Sequence, residues 1–169
     1  MIFGDITPKH KHLKIDGTFT PKGYLTRQIA YLPQNFFLPH YLNLTTLVQL
    51  YNSKYTEQLV EIDVFKANMN EPIGSLSAGN RRLVEALLII YSDAKYVLLD
   101  EPFSQLAPMI VDEMKKHLNI FKAAKGFIVT DHHYQQVLAV SDRIILIHNG
   151  SNYTINDEAD LRLHGYLPS

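Results

Sequence analysis

The 169 residues carry 46% hydrophobic and 20% charged side chains, the balance of a chain that buries one sizeable core rather than staying disordered. A formal net charge of −1 gives no electrostatic case for nucleic acid or an anionic membrane surface as partner. With no cysteine, disulfides and zinc–thiolate sites are excluded, and a reducing compartment fits.

The basic stretch "PKHKHLK" (residues 8–14) reads as a solvated turn, and His10 and His12, two apart with no third ligand nearby, predict no metal. "HLKIDGTFT" (12–20) reads as a strand broken at Gly17, and "QIAYLPQ" (28–34) as a second strand ended by Pro33. The period changes after Asn43, a candidate cap, because Leu44, Leu47, Val48 and Tyr51 fall on one helical face. Leu59, Ile62 and Phe65 suggest another short helix, and "RRLVEALLIIYS" (81–92) is apolar nearly all round, as a buried helix is. The longest apolar run, residues 86–91, is far below a membrane span.

The rest alternates. "YVLLD" (96–100) predicts a strand, "MIVDEMKKHLNIFKAA" (109–124) a helix stopped by Gly126, and "GFIVTD" (126–131) a strand. "YQQVLAV" (134–140) predicts a helix and "DRIILIH" (142–148) a strand, with Asn149-Gly150 turning into "SNYTI" (151–155). Met109, Met114 and Phe121 read as core. Apolar strands alternating with helices imply an α/β fold with a parallel sheet covered on both faces, whose ligands bind at the carboxyl ends of the strands. There the sequence sets acids and histidines: "LLDE" at 98–101 and "IVTDHH" at 128–133.

Four segments in fixed order, "YLPQ", "SLSAGNRR", "YVLLDEP" and "IVTDHH", together resemble the nucleotide-binding domain of ATP-binding-cassette (ABC) ATPases over nearly the whole chain. The resemblance implies a P-loop NTPase (RecA-like) core, here N-terminally incomplete, from residues 1–34 and 95–169, with an inserted helical signature subdomain at 35–94. It implies that Gln34 senses the magnesium ion and attacking water, that Asp100 holds Mg2+ through water, and that Glu101 polarises the attacking water. His132 matches the switch histidine that contacts the γ-phosphate. Leu76, Ser77, Ala78 and Gly79 match the signature loop, which meets the γ-phosphate bound by a second nucleotide-binding subunit in a head-to-tail dimer. ATP and Mg2+ are the implied cofactors, and a transmembrane permease, which would hold the subunit at the inner face of the membrane, is the implied partner. Phe36, Phe37 and Leu38 are either ordinary core or part of the groove that receives that partner. His133 has no matched role and is expected in solvent. The "TDHH" form is similar to that of ATPases for lipopolysaccharide export and branched-chain amino-acid uptake.

The sequence departs from the family pattern at Ala78 (usually glycine), Asn80 (usually glutamine) and Ala107, where the D-loop S-x-L-D ends in aspartate. Ala78 is a small change if its φ is negative; Ala107 removes a group used for communication between paired sites. No glycine is followed by lysine, so the phosphate loop G-x-x-x-x-G-K-[ST] is not in this sequence, and "MIFGDITPKHKHLKIDG" resembles the inside of the pattern that follows that loop. The resemblance therefore implies that Met1 is an internal methionine of a longer protein and that the chain alone is inactive. The alternatives are a degenerate, non-catalytic subunit that lends its signature loop to a complete partner, or an ABC ATPase without a transporter.

Overall fold

A computed structural model describes residues 12–168; of the turn expected over residues 8–14, residues 8–11, with His10, lie outside them. The chain divides into two compact units, residues 1–131 and 132–169.

The described part of the first unit opens with a hairpin. The stretch read as one broken strand is two short strands, β1 (Lys14–Ile15) and β2 (Thr18–Phe19), paired antiparallel. Asp16 and Gly17, at φ 50° and 81°, supply the two left-handed residues that a tight hairpin turn needs. Next come β3 (Ile29–Leu32), β4 (Tyr96–Asp100) and β5 (Gly126–Thr130), which form one parallel sheet in the order β3-β4-β5. Ile29 aligns with Tyr96, and Tyr96 with Gly126, so the carboxyl ends of β4 and β5 finish together at Asp100 and Thr130.

Between β3 and β4 the chain is helical. Helix α1 (Leu44–Leu50) starts where expected: the Asn43 side chain accepts the Thr46 N–H, and Leu44, Leu47 and Val48 are buried. Leu59 and Phe65 belong to two very short helices, α2 (Thr56–Val60) and α3 (Asp63–Lys66), rather than one. A 3-10 turn (Ile73–Ser75) leads into α4 (Ala78–Ile90), which packs on β3 and β4 and buries every residue from Arg82 to Ile90. On the other side of β4, Leu98 packs with Ile15 and Ile29.

Helix α5 (Pro108–Phe121) lies against α4. Met114 and Phe121 are core, as read from the sequence, but Met109 is 77% exposed. Five residues from Met114 is about 140° round the helix, which turns Met109 off the buried stripe. Gly126 does not stop this helix. It opens β5, where an added Cβ would stand 2.8 Å from the Tyr96 ring, so the glycine lets that ring lie close. Nor are both faces of β5 covered within this unit, since Ile128 is 50% exposed.

The second unit holds α6 (Tyr134–Val140), β6 (Ile144–His148), β7 (Ser151–Ile155) and α7 (Glu158–Leu163). Strand β6, expected in the parallel sheet, is paired antiparallel with β7. Asn149 and Gly150, both at positive φ, make the expected turn. Leu146, Ile155 and Leu161 form this unit's own small core. The sequence reading missed α7, whose start is set by the Asp157 carboxylate accepting the Ala159 and Asp160 N–H groups.

Candidate functional site

Parallel pairing brings the tips of β3 and β4 side by side, so residues 67 apart in sequence meet. The Gln34 side-chain amide donates to Glu101 Oε2 at 2.9 Å, and the Ser104 hydroxyl donates to the same oxygen at 3.2 Å. Gln34, Phe36, Ala78, Arg82, Glu101 and Ser104 line a cleft of about 250 Å³. The first unit therefore joins two of the expected catalytic residues directly and sets the first helical residue of the signature segment on the same cleft.

Asp100 is held at both oxygens. The Thr130 hydroxyl donates to Oδ1 at 2.7 Å and the Tyr31 hydroxyl to Oδ2 at 2.9 Å. A carboxylate oxygen has two lone pairs, so each keeps acceptor capacity for a water on a hard cation. The residues thus fit a magnesium ion held through water: the Asp100 oxygens would accept from a water on the ion, and Gln34 stands on the neighbouring Glu101. Among the described residues no group of three or more His, Cys, Asp or Glu side chains is arranged to hold a metal by itself. Tyr31 is a site residue that sequence reasoning missed. Its signal is register: Tyr31 aligns with Leu98, two residues before Asp100, within reach of a long side chain.

Leu76 follows the 3-10 turn, and Ser77 caps α4 by accepting the Asn80 N–H at 3.2 Å. Ala78 and Gly79 form the first turn, whose amides have no acceptor in the helical ladder. Neither has positive φ, so alanine at 78 is unstrained, and at Gly79 an added Cβ would meet nothing closer than 3.5 Å. The loop after β4 is less relaxed: Glu101 and Gln105 stand at φ 47° and 59°. Ala107 occupies the N-cap of α5 and makes no side-chain cap bond.

His132 and His133 lie in the second unit and are exposed, His133 at the N-cap of α6 without a side-chain cap bond. Phe36, Phe37 and Leu38 divide: Leu38 is core, Phe37 half-buried, and Phe36 is 46% exposed with the Arg81 guanidinium 4.4 Å from its ring centroid.

The largest omission in the sequence reading is the charge inside α4. Glu85 is fully buried; its Oε1 accepts the Phe37 and Leu38 N–H groups at 3.2 Å each. Arg81 Nη2 donates to Leu38 O at 2.8 Å, and Arg82 donates from Nη1 to Pro33 O at 2.6 Å and from Nη2 to Asp100 O at 2.8 Å. Burial raises the Glu85 pKa against the pull of those two amides and the two arginines; burial also lowers that of Arg82, opposed by Glu85, Asp100, Asp131 and Glu101. The signal was the i, i+3 pair Arg82–Glu85 within an otherwise apolar run.

Residues 1–104 match a sequence model of the family described as "ABC transporter". The "Lipopolysaccharide export system ATP-binding protein LptB" of Escherichia coli (strain K12) is 32% identical over 139 residues, covering 73% of this chain and 56% of the relative. A "Probable ABC transporter ATP-binding protein" of Azorhizobium caulinodans is 29% identical over 168 residues, covering 89% of this chain and 59% of the relative. The chain thus spans little more than half the length of these curated relatives. Among solved structures, "Structure of ATP binding subunit of ABC transporter" superposes with a TM-score of 0.79 at 23% identity, covering 97% of this chain and 75% of that one. A nucleotide-free ATP-binding cassette gives 0.75 at 16%, over 99% and 78%. These two fix the fold: a P-loop NTPase core of α/β type.

Proposed function

The chain belongs to the ABC transporter family, and from that premise we propose that it serves an ATP-hydrolysing subunit in which Glu101 orients the attacking water. Asp100 places magnesium, Gln34 links the two, and His132 reaches the γ-phosphate. The observation that carries this reading is the 2.9 Å bond from Gln34 to Glu101 at the carboxyl ends of two parallel strands. Magnesium, when bound, neutralises phosphate charge; the chain's own residues hold and aim the water. Glu101 accepts from Gln34 and Ser104 at Oε2, which fixes the orientation of the carboxylate that takes a proton from water.

The same reading assigns residues 35–94 to a helical subdomain and 1–34 with 95–169 to the ATPase core, supported by α1 to α4 lying between β3 and β4. Leu76, Ser77, Ala78 and Gly79 act on ATP bound by a second nucleotide-binding subunit, and a permease at the inner face of the membrane receives the motion. No described helix is long and apolar enough to cross a membrane. By themselves the 169 residues bind Mg-ATP weakly, because none of their glycines is followed by the lysine that would neutralise the phosphates. Ala107, in place of the D-loop aspartate, favours a second reading, a non-catalytic subunit that lends its signature loop.

Joining the chain to a strand and phosphate loop of the form G-x-x-x-x-G-K-[ST] tests both. The fusion should hydrolyse ATP, and Glu101→Gln should lose about 10²–10⁴ of the rate while keeping an ATP-dependent dimer detectable by light scattering. Turnover near wild type in Glu101→Gln overturns the assignment. A folded fusion that binds Mg-ATP without turnover supports the non-catalytic reading.

A further inference from the structure

Glu101 is the residue on which the proposed chemistry turns, yet its backbone lies where side chains are disfavoured, at φ 47°. Such a conformation persists only when the surroundings over-determine it. Two groups do so here. The Glu101 N–H donates to Thr130 O at 2.7 Å, which ties one side of the peptide to β5. On the other side the Arg82 guanidinium donates to Asp100 O at 2.8 Å and at longer range to Glu101 O at 3.4 Å.

The same guanidinium reaches a second strand. Its Nη1 donates to Pro33 O, the carbonyl immediately before Gln34, at 2.6 Å. One planar group thus grips the peptide that carries Gln34 and the peptides that flank Glu101. Arg82 is only 5% exposed, so its bonds are shielded from water, and the buried Glu85 carboxylate stands 3.9 Å away as counter-charge. A lysine could supply the charge but not two donors in fixed, divergent directions.

We propose that Arg82 is a positioning residue: its guanidinium holds the left-handed turn at Glu101 in register with the carbonyl before Gln34 and so sets the geometry of the Gln34–Glu101 pair. Its importance for turnover rests on the reading of Glu101 as the base; the geometry itself does not. The role predicts an unusual dependence. If Arg82 works by holding a strained backbone, it matters less once the strain is gone, and Glu101→Gly removes it because glycine accepts positive φ.

The test is a double-mutant cycle on the 169-residue chain without nucleotide: Arg82→Lys, Glu101→Gly and both together, followed by urea unfolding and amide hydrogen exchange. Arg82→Lys should lower the folded-to-unfolded ratio by about tenfold, but by only about threefold in the Glu101→Gly background. In Arg82→Lys the Glu101 amide should exchange about tenfold faster while the amides of Leu87 to Ile90 stay within about twofold, and the Glu101 13Cα resonance, which reports its backbone angles, should move. Equal losses in both backgrounds, or uniform acceleration across α4, would show an ordinary buried cation and overturn the proposal. Should Arg82→Lys alone fail to fold, the double variant should still fold; failure of both also overturns it. Loss of the ATPase reading would appear in the Glu101→Gln turnover assay and leave this cycle unchanged.

Discussion

Ala107→Asp, which restores the residue the family pattern carries at the end of the D-loop, should stabilise the fold. Ala107 is the N-cap of α5, with φ −63° and ψ 145°, the extended geometry from which a short polar side chain reaches back into the first turn. The first turn offers little to cap. Pro108 has no N–H, and the N–H groups of Ile110 and Val111 already reach Ala107 O at 2.9 and 3.2 Å. The Met109 amide remains, on an exposed residue where water competes. The capping bond therefore sits at the low end of its range, about 0.5 kcal/mol. The carboxylate adds about 0.3–1 kcal/mol against the helix dipole. Together these give about 1 kcal/mol, or about 2–4 °C in Tm for a chain of this size. Ala107→Ser supplies the cap without the charge and should give roughly half. Thermal melts at low and high salt separate the two contributions, because only the dipole part is screened. An unchanged or lower Tm for both variants would refute the N-cap assignment and with it the start of α5.

Lys125 should give the fold a pH dependence. It is 7% exposed, donates to Ile90 O and Ser92 O, and its pKa is pulled by burial down to about 8. Between that value and the ordinary lysine pKa the unfolded chain holds a proton the folded chain has lost, so stability rises with pH there; from pH 7.5 to 9.5 wild type should gain on the order of 1 kcal/mol relative to Lys125→Met. A difference between the two that is flat with pH in urea titrations would count against it. Gly74→Ala should destabilise by about 1–3 kcal/mol, because the new Cβ would stand 2.7 Å from the His40 carbonyl oxygen; an unchanged urea midpoint would show that the 40–42 loop yields freely.

Periodicity located the helices and strands because burial in this fold follows the backbone repeat. Leu44, Leu47 and Val48 are buried, and Val97 to Leu99 form a fully covered strand, as their spacing demands. The hairpin at Asp16-Gly17 was hidden because each arm is two residues, too short for alternation to register. Met109 departs from the expected core because only Met114 and Phe121 of the three apolar residues share a helical face. Motif order singled out Gln34 and Glu101 separately; the bond between them is set by strand register, which the sequence alone does not give. Arg82 and Glu85 escaped because a helix that reads as apolar all round suggests only packing, and sequence gives no view of the carbonyls and amides that await a buried charge.

That blind spot has a physical cause. Burying Arg82 and Glu85 is unfavourable for each alone, and salt-bridge contact at 3.9 Å in the interior does not by itself offset it. The balance is met by backbone groups that would otherwise be unpaired: the carbonyls of Pro33 and Asp100 at the ends of β3 and β4, and the amides of Phe37 and Leu38 in the loop that follows β3. A strand that stops at a cleft leaves polar backbone behind it, and a helix packed beneath must supply partners for it. Replacing the pair by leucines of similar volume would relieve the desolvation of the charges yet strand those four groups, at about 1–3 kcal/mol each. The charges in α4 are therefore a consequence of where the cleft is, and the segment that carries Gln34 cannot shift without disturbing the helix that Ser77 caps.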